Sequence, residues 1–500
     1  MKIKIINQSI TEFDGDIAIV NLFEGVKTPG SATGAVDKAL EGMISKLIRD
    51  GEITGKLEET VIIHTFDRLK ADRVMVVGLG KSDNFGLEEI RKAAAAAAKQ
   101  ARKTRAKRVG TIVHGAGIGG IEPGVAAQSL VEGTLLALYE FQEYKKSEKA
   151  EIKEFSIVEI DKAKLKGVQR GSELGEILAQ SQNVARDLIN EPANNLTPTM
   201  LEQRIKKIIK ETGLEERIEY ECLDRKELKK LGMGALLSVA QGSVNEPRFI
   251  VLRLKNPGKP LISLIGKTVT FDSGGLSLKP AANMGLMKGD MAGGAVVFGT
   301  LLALARAKPN VNVMVIIPAV ENLPSGTASR PGDVVKAMNG KTIEIISTDA
   351  EGRMTLADAI CYAEKENAEI IVDIATLTGG CVVAFGDITG AVMGNDLQFI
   401  DRILEVSKST GERLWQMPLF DEYKEQMKSD VADLKNSGGR KASPITAGIF
   451  LQSFVNKSKW LHLDVAGKEI TEKENSYKPK GGIGFGVRTL FEFVGRCLTF

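Results

Sequence analysis

Short apolar, β-branched runs alternate along the chain with stretches whose apolar positions recur at helical spacing. In the first third, DIAIVNLF, ETVIIHTF, VMVVGLG, RVGTIVHG and FSIVEID read as strands, while VDKALEGMISKLIRD and LEEIRKAAAAAAKQARK read as amphipathic helices. Strands alternating with helices predict a sheet with helices on its faces. GVQRGSELGEILAQSQNVARDLI has the spacing of one long helix, and NEPANNLTP stops it with two prolines and clustered asparagines. Further on, RFIVLRL, PLISLIG, VNVMVIIPAV, TIEIIS, EIIVDIATL and WLHLDVAG are strand-like, with GAVVFGTLLALARA and TLADAICYAEKE helical between them. Near-continuous apolar strands predict a sheet buried on both faces. The fold class is α/β: an N-terminal α/β domain with a mixed sheet over 1–165, a linker helix over 166–190, and a larger C-terminal α/β domain with a central, mostly parallel mixed sheet over 191–500.

Composition narrows this picture only slightly. The 500 residues carry 67 Lys+Arg against 64 Asp+Glu, a net charge of +3, which selects no partner. With 43% hydrophobic and 26% charged residues, the chain has the composition of a globular protein and not of a disordered or fibrous one. Cys222, Cys361, Cys381 and Cys497 are widely spaced without a C-x-x-C pair, which argues against a disulfide framework or zinc finger. Glu12, Asp14 and Asp16 interrupt the N-terminus before a signal-type apolar core can form. The apolar stretch Gly293 to Ala305 ends at Arg306, short of the ~20 residues a membrane span needs. A soluble, cytoplasmic protein with no membrane partner is the expectation.

Three motifs suggest chemistry and lack the context for it. Gly115 to Gly120 spells G-x-G-x-x-G after a strand, yet Glu140, at the spacing of a ribose-binding acid, falls in a helix-like segment, so a glycine turn is expected. Gly266-Lys267-Thr268 resembles the end of a phosphate loop, but Leu261 stands where the first glycine belongs and VTFDSGG does not start a helix. The basic run Lys99, Arg102, Lys103, Arg105, Lys107, Arg108 has no interleaved aromatic residue and reads as the solvated face of an alanine-rich helix, leaving nucleic-acid binding unsupported. His64, His114 and His462 sit in apolar strand contexts and read as structural, so a histidine-based catalytic scheme has little to draw on.

The informative region runs from Gly266 to Arg353, where charged residues interrupt apolar strand ends. Asp272 stands where a strand opens into Ser273-Gly274-Gly275, the place where open α/β sheets hold ligands. Asp290 precedes a helix, with Met287 one turn earlier on the same side. Asp349 and Glu351 alternate onto one face of an extended segment, joined by Arg353. Four oxygen donors without nearby cysteine or histidine suit hard divalent cations, and four carboxylates can neutralise two. A two-metal site and ordinary acidic turns both remain open on spacing alone.

Ser347-Thr348-Asp349-Ala350-Glu351-Gly352-Arg353-Met354 resembles the N-T-D-A-E-G-R-L signature of the leucyl aminopeptidase (cytosol aminopeptidase) family, peptidase family M17. GKTVTFDSGG from Gly266, the segment Met284 to Ala295, NEPANNLTP, DIATLTG, HLDVAG and GGIGFGVR match further family motifs in order. The resemblance implies a dinuclear-metal peptidase domain over 191–500 that releases N-terminal, leucine-like residues from short peptides. It implies that Asp272 and Glu351 bridge two divalent ions, Mn2+ or Zn2+, that Asp349 completes one site, and that Lys267 and Asp290 complete the other. Lys267 would then bind as a neutral amine, so that metal affinity falls as pH drops. A water shared by the metals would attack the first peptide bond, with Lys279 stabilising the oxyanion and Arg353 holding a bicarbonate proton shuttle. Met287, Thr376, Gly379 and Ala466 would line the pocket for the first side chain, and the assembly would be a homohexamer, a dimer of trimers. Ser347, Met354 and Thr268 depart from the family pattern without removing a ligand. Two rivals make different predictions: a two-metal phosphoesterase would cleave a phosphate monoester, and a nucleic-acid-binding scaffold would show salt-dependent DNA binding.

Overall fold

The computed structural model describes residues 1–116 and 120–497. The chain forms two compact units, Met1–Gln180 with Lys473–Pro479, and Ser181–Glu472 with Lys480–Phe500.

In the first unit the chain runs β1 (Lys2–Ile6), β2 (Ile17–Leu22), α1 (Ser31–Ala39), α2 (Met43–Arg49), β3 (Thr60–His64), β4 (Arg73–Gly78), α3 (Leu87–Lys103), β5 (Arg108–Ile112), α4 (Pro123–Ala137) and β6 (Glu154–Val158). Its six-stranded sheet has the order β1-β6-β5-β2-β4-β3. Every neighbouring pair is parallel except β3 with β4. The segment VDKALEGMISKLIRD, expected as one helix, divides into α1 and α2, because Gly42 takes φ 83° between them and an α-helix cannot pass through that conformation. Helix α3 buries its alanine run, including Ala93, Ala94, Ala97 and Ala101. Glu88 and Glu89 in its first turn and Arg102 and Lys103 in its last suit the helix dipole. The basic run that begins in its last turns finds acid partners: Lys99 with Glu474 at 2.8 Å, Arg102 with Glu140 at 3.0 Å, and Arg108 with Asp14 at 3.8 Å. Glu140 lies beyond the end of α4, not within a helix. Of the G-x-G-x-x-G motif, Gly115 takes φ 81° and Gly120 φ 66°, while Gly117, Ile118 and Gly119 lie outside the described residues.

Helix α5 (Leu165–Asn190) is the predicted long helix, and the boundary between the two units falls within it. The second unit continues with α6 (Pro198–Glu211), β7 (Glu219–Leu223), α7 (Arg225–Lys230), α8 (Gly234–Ala240), β8 (Arg248–Leu254), β9 (Leu261–Gly266), β10 (Thr268–Asp272), α9 (Ala292–Ala307) and β11 (Asn312–Asn322). Then come β12 (Val334–Lys336), β13 (Thr342–Glu344), α10 (Glu351–Lys365), β14 (Ile370–Ala375), α11 (Gly379–Phe385), β15 (Gly390–Gly394), β16 (Leu414–Gln416), β17 (Leu434–Lys435) and β18 (Lys459–Asp464). The large sheet has the order β16-β15-β18-β14-β9-β11-β8-β7, with β10 pairing β11. Its centre, β18-β14-β9-β11, is parallel, and β8 and β15 join antiparallel, so the sheet is mixed.

Strands β9, β11 and β14 are buried almost throughout, as their continuous apolar sequences require. The 3-10 segment Met284–Met291 runs directly into α9, and Met284–Ala307 is together long and apolar enough, by length and composition, to cross a membrane. That length corrects the shorter apolar stretch read from the sequence, which missed the join at Met291. The segment is a core helix: 89% of its apolar window is buried inside the structure.

Candidate active site

The charged residues collect where β9, β10, β11 and β14 reach their carboxyl ends. Lys267 follows β9, held by its backbone: its amide donates to Ile374 O at 3.0 Å and its carbonyl accepts from Gly294 N at 2.9 Å. Both neighbours are glycine-rich or strand backbone, so the lysine stem passes through a tight channel and is 3% exposed. Its Nζ donates to Asp290 Oδ1 at 2.7 Å and to Thr376 O at 2.9 Å, and lies 2.9 Å from Glu351 Oε1. Asp272 closes β10, and the left-handed Gly274 and Gly275 turn the chain immediately after it. Its Oδ1 accepts from Gly274 N at 2.9 Å and from Asn322 Nδ2 at 2.8 Å, and its Oδ2 lies 2.8 Å from Lys279 Nζ. Lys279 also pairs with Asp349. Glu351 is the first residue of α10 and Asp290 sits in the turn before α9, so both carboxylates lie at helix starts, where negative charge is favoured.

Oxygen atoms of Asp272, Asp290 and Glu351 all lie within 4.8 Å of one another. Burial pushes the carboxyls of Asp290 and Glu351 above the usual range, and their proximity to Asp272 adds to it. Asp349, on the solvent side, is also raised, by partial burial and by Asp272. Burial opposes the charge of Lys267, yet Asp290, Glu351 and Asp272 together hold its pKa above the normal lysine range. With no cation among them, these carboxylates favour the ammonium form of Lys267, so a cation that replaces its hydrogen bonds must displace its proton. Asp290 Oδ2 and Glu351 Oε2 are buried without a hydrogen-bond partner. Buried carboxylate oxygens lacking donors are costly unless a cation fills the space between them. The donor set therefore fits divalent metal.

Arg353, two residues beyond Glu351, is buried. Its Nη1 donates to Asn436 O at 2.8 Å while its Nε has no partner, and burial lowers its pKa to about 10. The adjoining cleft is lined by Gly275, Asn322, Ser347, Thr348, Glu351 and Asn436, among others.

Thus Lys267, Asp272, Lys279, Asp290, Asp349 and Glu351 form one ion-paired cluster, and Thr376 joins it by donating to Asp290 Oδ1 at 2.7 Å. Met287 is half-buried in the same 3-10 segment as Asp290. Gly379 and Ala466 are held less closely: Gly379 is exposed at the first turn of α11, and Ala466 packs with Cys381, Ala391 and Met393. Three residues with structural work at the site escaped sequence reasoning. Asn322 ties Asp272 to Thr348 O at 3.0 Å. Thr348 holds the Gly274 turn by donating to Gly274 O at 2.7 Å. Asn436 accepts from Ile346 N at 2.8 Å and donates to Ser347 O at 2.8 Å. Asn322 ends an apolar strand and so carried a signal of the kind that exposed Asp272; Thr348 stands in the signature octapeptide but was given no role there, and Asn436 carried no signal. His462 is structural, buried with Nδ1 2.5 Å from Asp373 Oδ1, whose other oxygen accepts from Trp460 Nε1 at 2.7 Å. Gly266-Lys267-Thr268 joins two strands and forms no phosphate loop.

The chain matches the catalytic-domain model of the cytosol aminopeptidase family over residues 183–491 and that family's N-terminal-domain model over 19–148. It is 41% identical over 500 residues to a probable cytosol aminopeptidase of Alkaliphilus metalliredigens (strain QYMF), covering 99% of each chain. It is 43% identical over 466 residues to another from Persephonella marina (strain DSM 14350 / EX-H1), covering 92% of each. Among solved structures it resembles a mutant of tomato leucine aminopeptidase, with TM-score 0.88, 33% identity and coverage of 99% and 96%. It also resembles the bottromycin maturation enzyme BotP in complex with Mn, with TM-score 0.85, 32% identity and coverage of 97% and 99%. Full-length agreement in sequence and fold, over a chain whose acidic cluster suits metal, makes this protein a hydrolase of the cytosol aminopeptidase family, peptidase family M17, and an aminopeptidase.

Proposed function

We propose that the enzyme is a metal-dependent leucyl aminopeptidase that removes leucine-like residues from the N-termini of short peptides. The observation that carries this reading is the pair of buried, unpartnered oxygens Asp290 Oδ2 and Glu351 Oε2 within the carboxylate cluster. Two divalent ions, Mn2+ or Zn2+, suit these hard donors, and the manganese of the BotP complex supports the choice. In this reading Asp272, Glu351, Asp349, Lys267 and Asp290 would hold the ions, with Asp272 and Glu351 serving both, Asp349 one, and Lys267 and Asp290 the other. When bound, such ions polarise the scissile carbonyl and make water a nucleophile near neutral pH.

The chain's own groups supply the rest. The excess of carboxylate attracts the ammonium of a free N-terminus and fixes the peptide so that its first bond is presented. Lys279, anchored between Asp272 and Asp349, is the cation placed to stabilise negative charge developing on the carbonyl oxygen. The unspent Nε–H of buried Arg353 suits a small anion, and bicarbonate there would carry the proton, with the Nδ1 of His462 already committed to Asp373. Met287, Thr376, Gly379 and Ala466 would form the pocket for the first side chain. We further propose a cytoplasmic homohexamer arranged as a dimer of trimers, in keeping with short peptides as substrates.

Hydrolysis of leucyl-p-nitroanilide by chelated enzyme reloaded with Mn2+, Zn2+ or Co2+, beside an Asp349→Ala variant, tests the reading. Activity should return with metal and be absent from the variant. No rescue by any of the ions, or full activity in the variant, would sink it.

A further inference from the structure

A crevice in the first unit lies outside the reaction just described. Strand β2 sits between β4 and β5; the chain leaves β2 toward β4 through α1 and α2, but leaves β5 toward β6 through α4. The helices cover opposite faces: Val36, Ile44 and Ile48 pack with Ala18 and Val20, whereas Ile90, Ala94 and Leu130 pack with Ile17 and Ile19. Where adjacent parallel strands send their connections in opposite directions, the helices part above the strand ends, and open α/β sheets hold ligands there.

A cavity of about 410 Å³ occupies this crevice, within the size range of small-molecule sites. One wall is apolar, formed by Leu22, Phe23, Val26, Ile112 and Val158. Another is the first turn of α1, Gly30 to Thr33. Gly30 gives that turn no side-chain cap, whereas Glu122 caps α4 by accepting from Gly124 N at 2.9 Å and Val125 N at 2.8 Å. Amides at an uncapped helix start attract anions. Lys164 lines the same cavity, with Asp161 as its ion-pair partner at 4.0 Å, and the Glu159 carboxylate, which also lines it, accepts from the Asp161 amide at 2.9 Å. The walls are tied together: Thr33 Oγ1 donates to Asn21 O at 2.7 Å, and Asn21 Nδ2 lies 3.1 Å from His114 Nδ1. His114 is 1% exposed. This arrangement is two-sided, with an anion-attracting end and an apolar side.

We propose that the cavity is a second ligand site for a nucleotide-class molecule, its phosphate at the first turn of α1 beside Lys164 and its base against Phe23, Val26 and Ile112. Each half is needed: the apolar wall does not select an anion, and a bare phosphate leaves that wall in water. The phosphate position is at the helix start after β2, and Gly115 and Ala116 of the glycine motif after β5 line the same cavity.

The test is calorimetric titration of the full-length, metal-loaded enzyme with AMP, adenosine and inorganic phosphate. AMP should bind saturably, one per chain, with adenosine and phosphate each at least tenfold weaker. Ser31→Asp puts a carboxylate where the phosphate would lie; Ser31 is exposed with φ 47°, a conformation Asp tolerates, and an acid in the first turn favours the helix. That variant should lose at least tenfold in AMP affinity and keep its leucyl-p-nitroanilide activity. Asp349→Ala should bind AMP as the unaltered enzyme does. The proposal is overturned by absence of saturable binding at millimolar AMP, by equal affinity for adenosine, by undiminished binding to Ser31→Asp, or by loss of binding in Asp349→Ala, which would put the nucleotide at the acidic cluster.

Discussion

Gly352 packs so tightly on Lys267 that a Cβ built at Gly352 would stand 2.4 Å from Lys267 Cε and 2.8 Å from its Nζ. The first turn of α10 thus reaches the lysine only because it carries no side chain there. Gly352→Ala should displace the Lys267 amine from Asp290 and Glu351. The helix itself gains, since Ala is favoured over Gly by about 0.5–1 kcal/mol in a helix, but overpacking costs about 1–3 kcal/mol. The expected outcome is a small change in melting temperature with a fall in kcat/KM of at least about 100-fold, equal to roughly 2.7 kcal/mol of lost transition-state stabilisation. Activity within twofold of the unaltered enzyme would show that the Lys267 position does not matter.

Removing metal should cost stability as well as activity. The unpartnered oxygens of Asp290 and Glu351 are buried among like charges, with Lys267 and Lys279 as ion-pair partners in the cluster. A ligand that binds only the folded state stabilises it by about 2.7 kcal/mol at 100 times its Kd. Chelated enzyme should therefore unfold at lower temperature than enzyme with excess Mn2+ or Zn2+, and the difference should disappear in Asp290→Asn. An unchanged transition after chelation, with metal loss verified by elemental analysis, would contradict the metal-binding reading of this cluster.

The contrast between residues that were legible in the sequence and those that were not is physical. Asp272, Asp290, Asp349 and Glu351 stood out because a charge at the end of an apolar strand or the start of a buried helix is expensive without a purpose. The division of α1 from α2 was missed because the apolar spacing continues across Gly42 and only its left-handed φ breaks the helix. Asn436 was invisible for another reason. It lies 83 residues from Arg353 along the chain, and its work is done on backbone atoms, which leave no side-chain partner to recognise.

Asn436 offers a test of that hidden scaffold. It accepts from the amide of Ile346, donates to the carbonyl of Ser347, and through its own carbonyl holds Arg353. Asn436→Ala keeps the last contact and removes the first two, leaving part-buried backbone groups without those partners at a cost of about 1 kcal/mol or more. Denaturant unfolding should show a loss of that size with an unchanged m-value. The segment carrying Asp349 and Glu351 should loosen, so kcat should fall further than KM rises. Full stability in the variant would mean that solvent replaces the lost bonds and that Asn436 is not a clamp.

His114 sets a pH limit on the first unit. Burial lowers its pKa from 6.5 to about 4, which favours the neutral form in the folded protein, with Nδ1 accepting from Asn21 Nδ2. Between those values the unfolded chain takes up a proton that the folded chain refuses, and stability falls as pH drops. Above about pH 6.5 both states are neutral at this position and the penalty is absent. Two and a half pKa units correspond to about 3 kcal/mol, reached only near pH 4. His114→Gln removes the titration while keeping a polar partner for Asn21. The stability difference between the unaltered protein and this variant, followed by denaturant unfolding from pH 7.5 down to about pH 4.5 across the window of that shift, should move steadily in favour of the variant. A difference independent of pH would show that the imidazole is not held neutral by its burial.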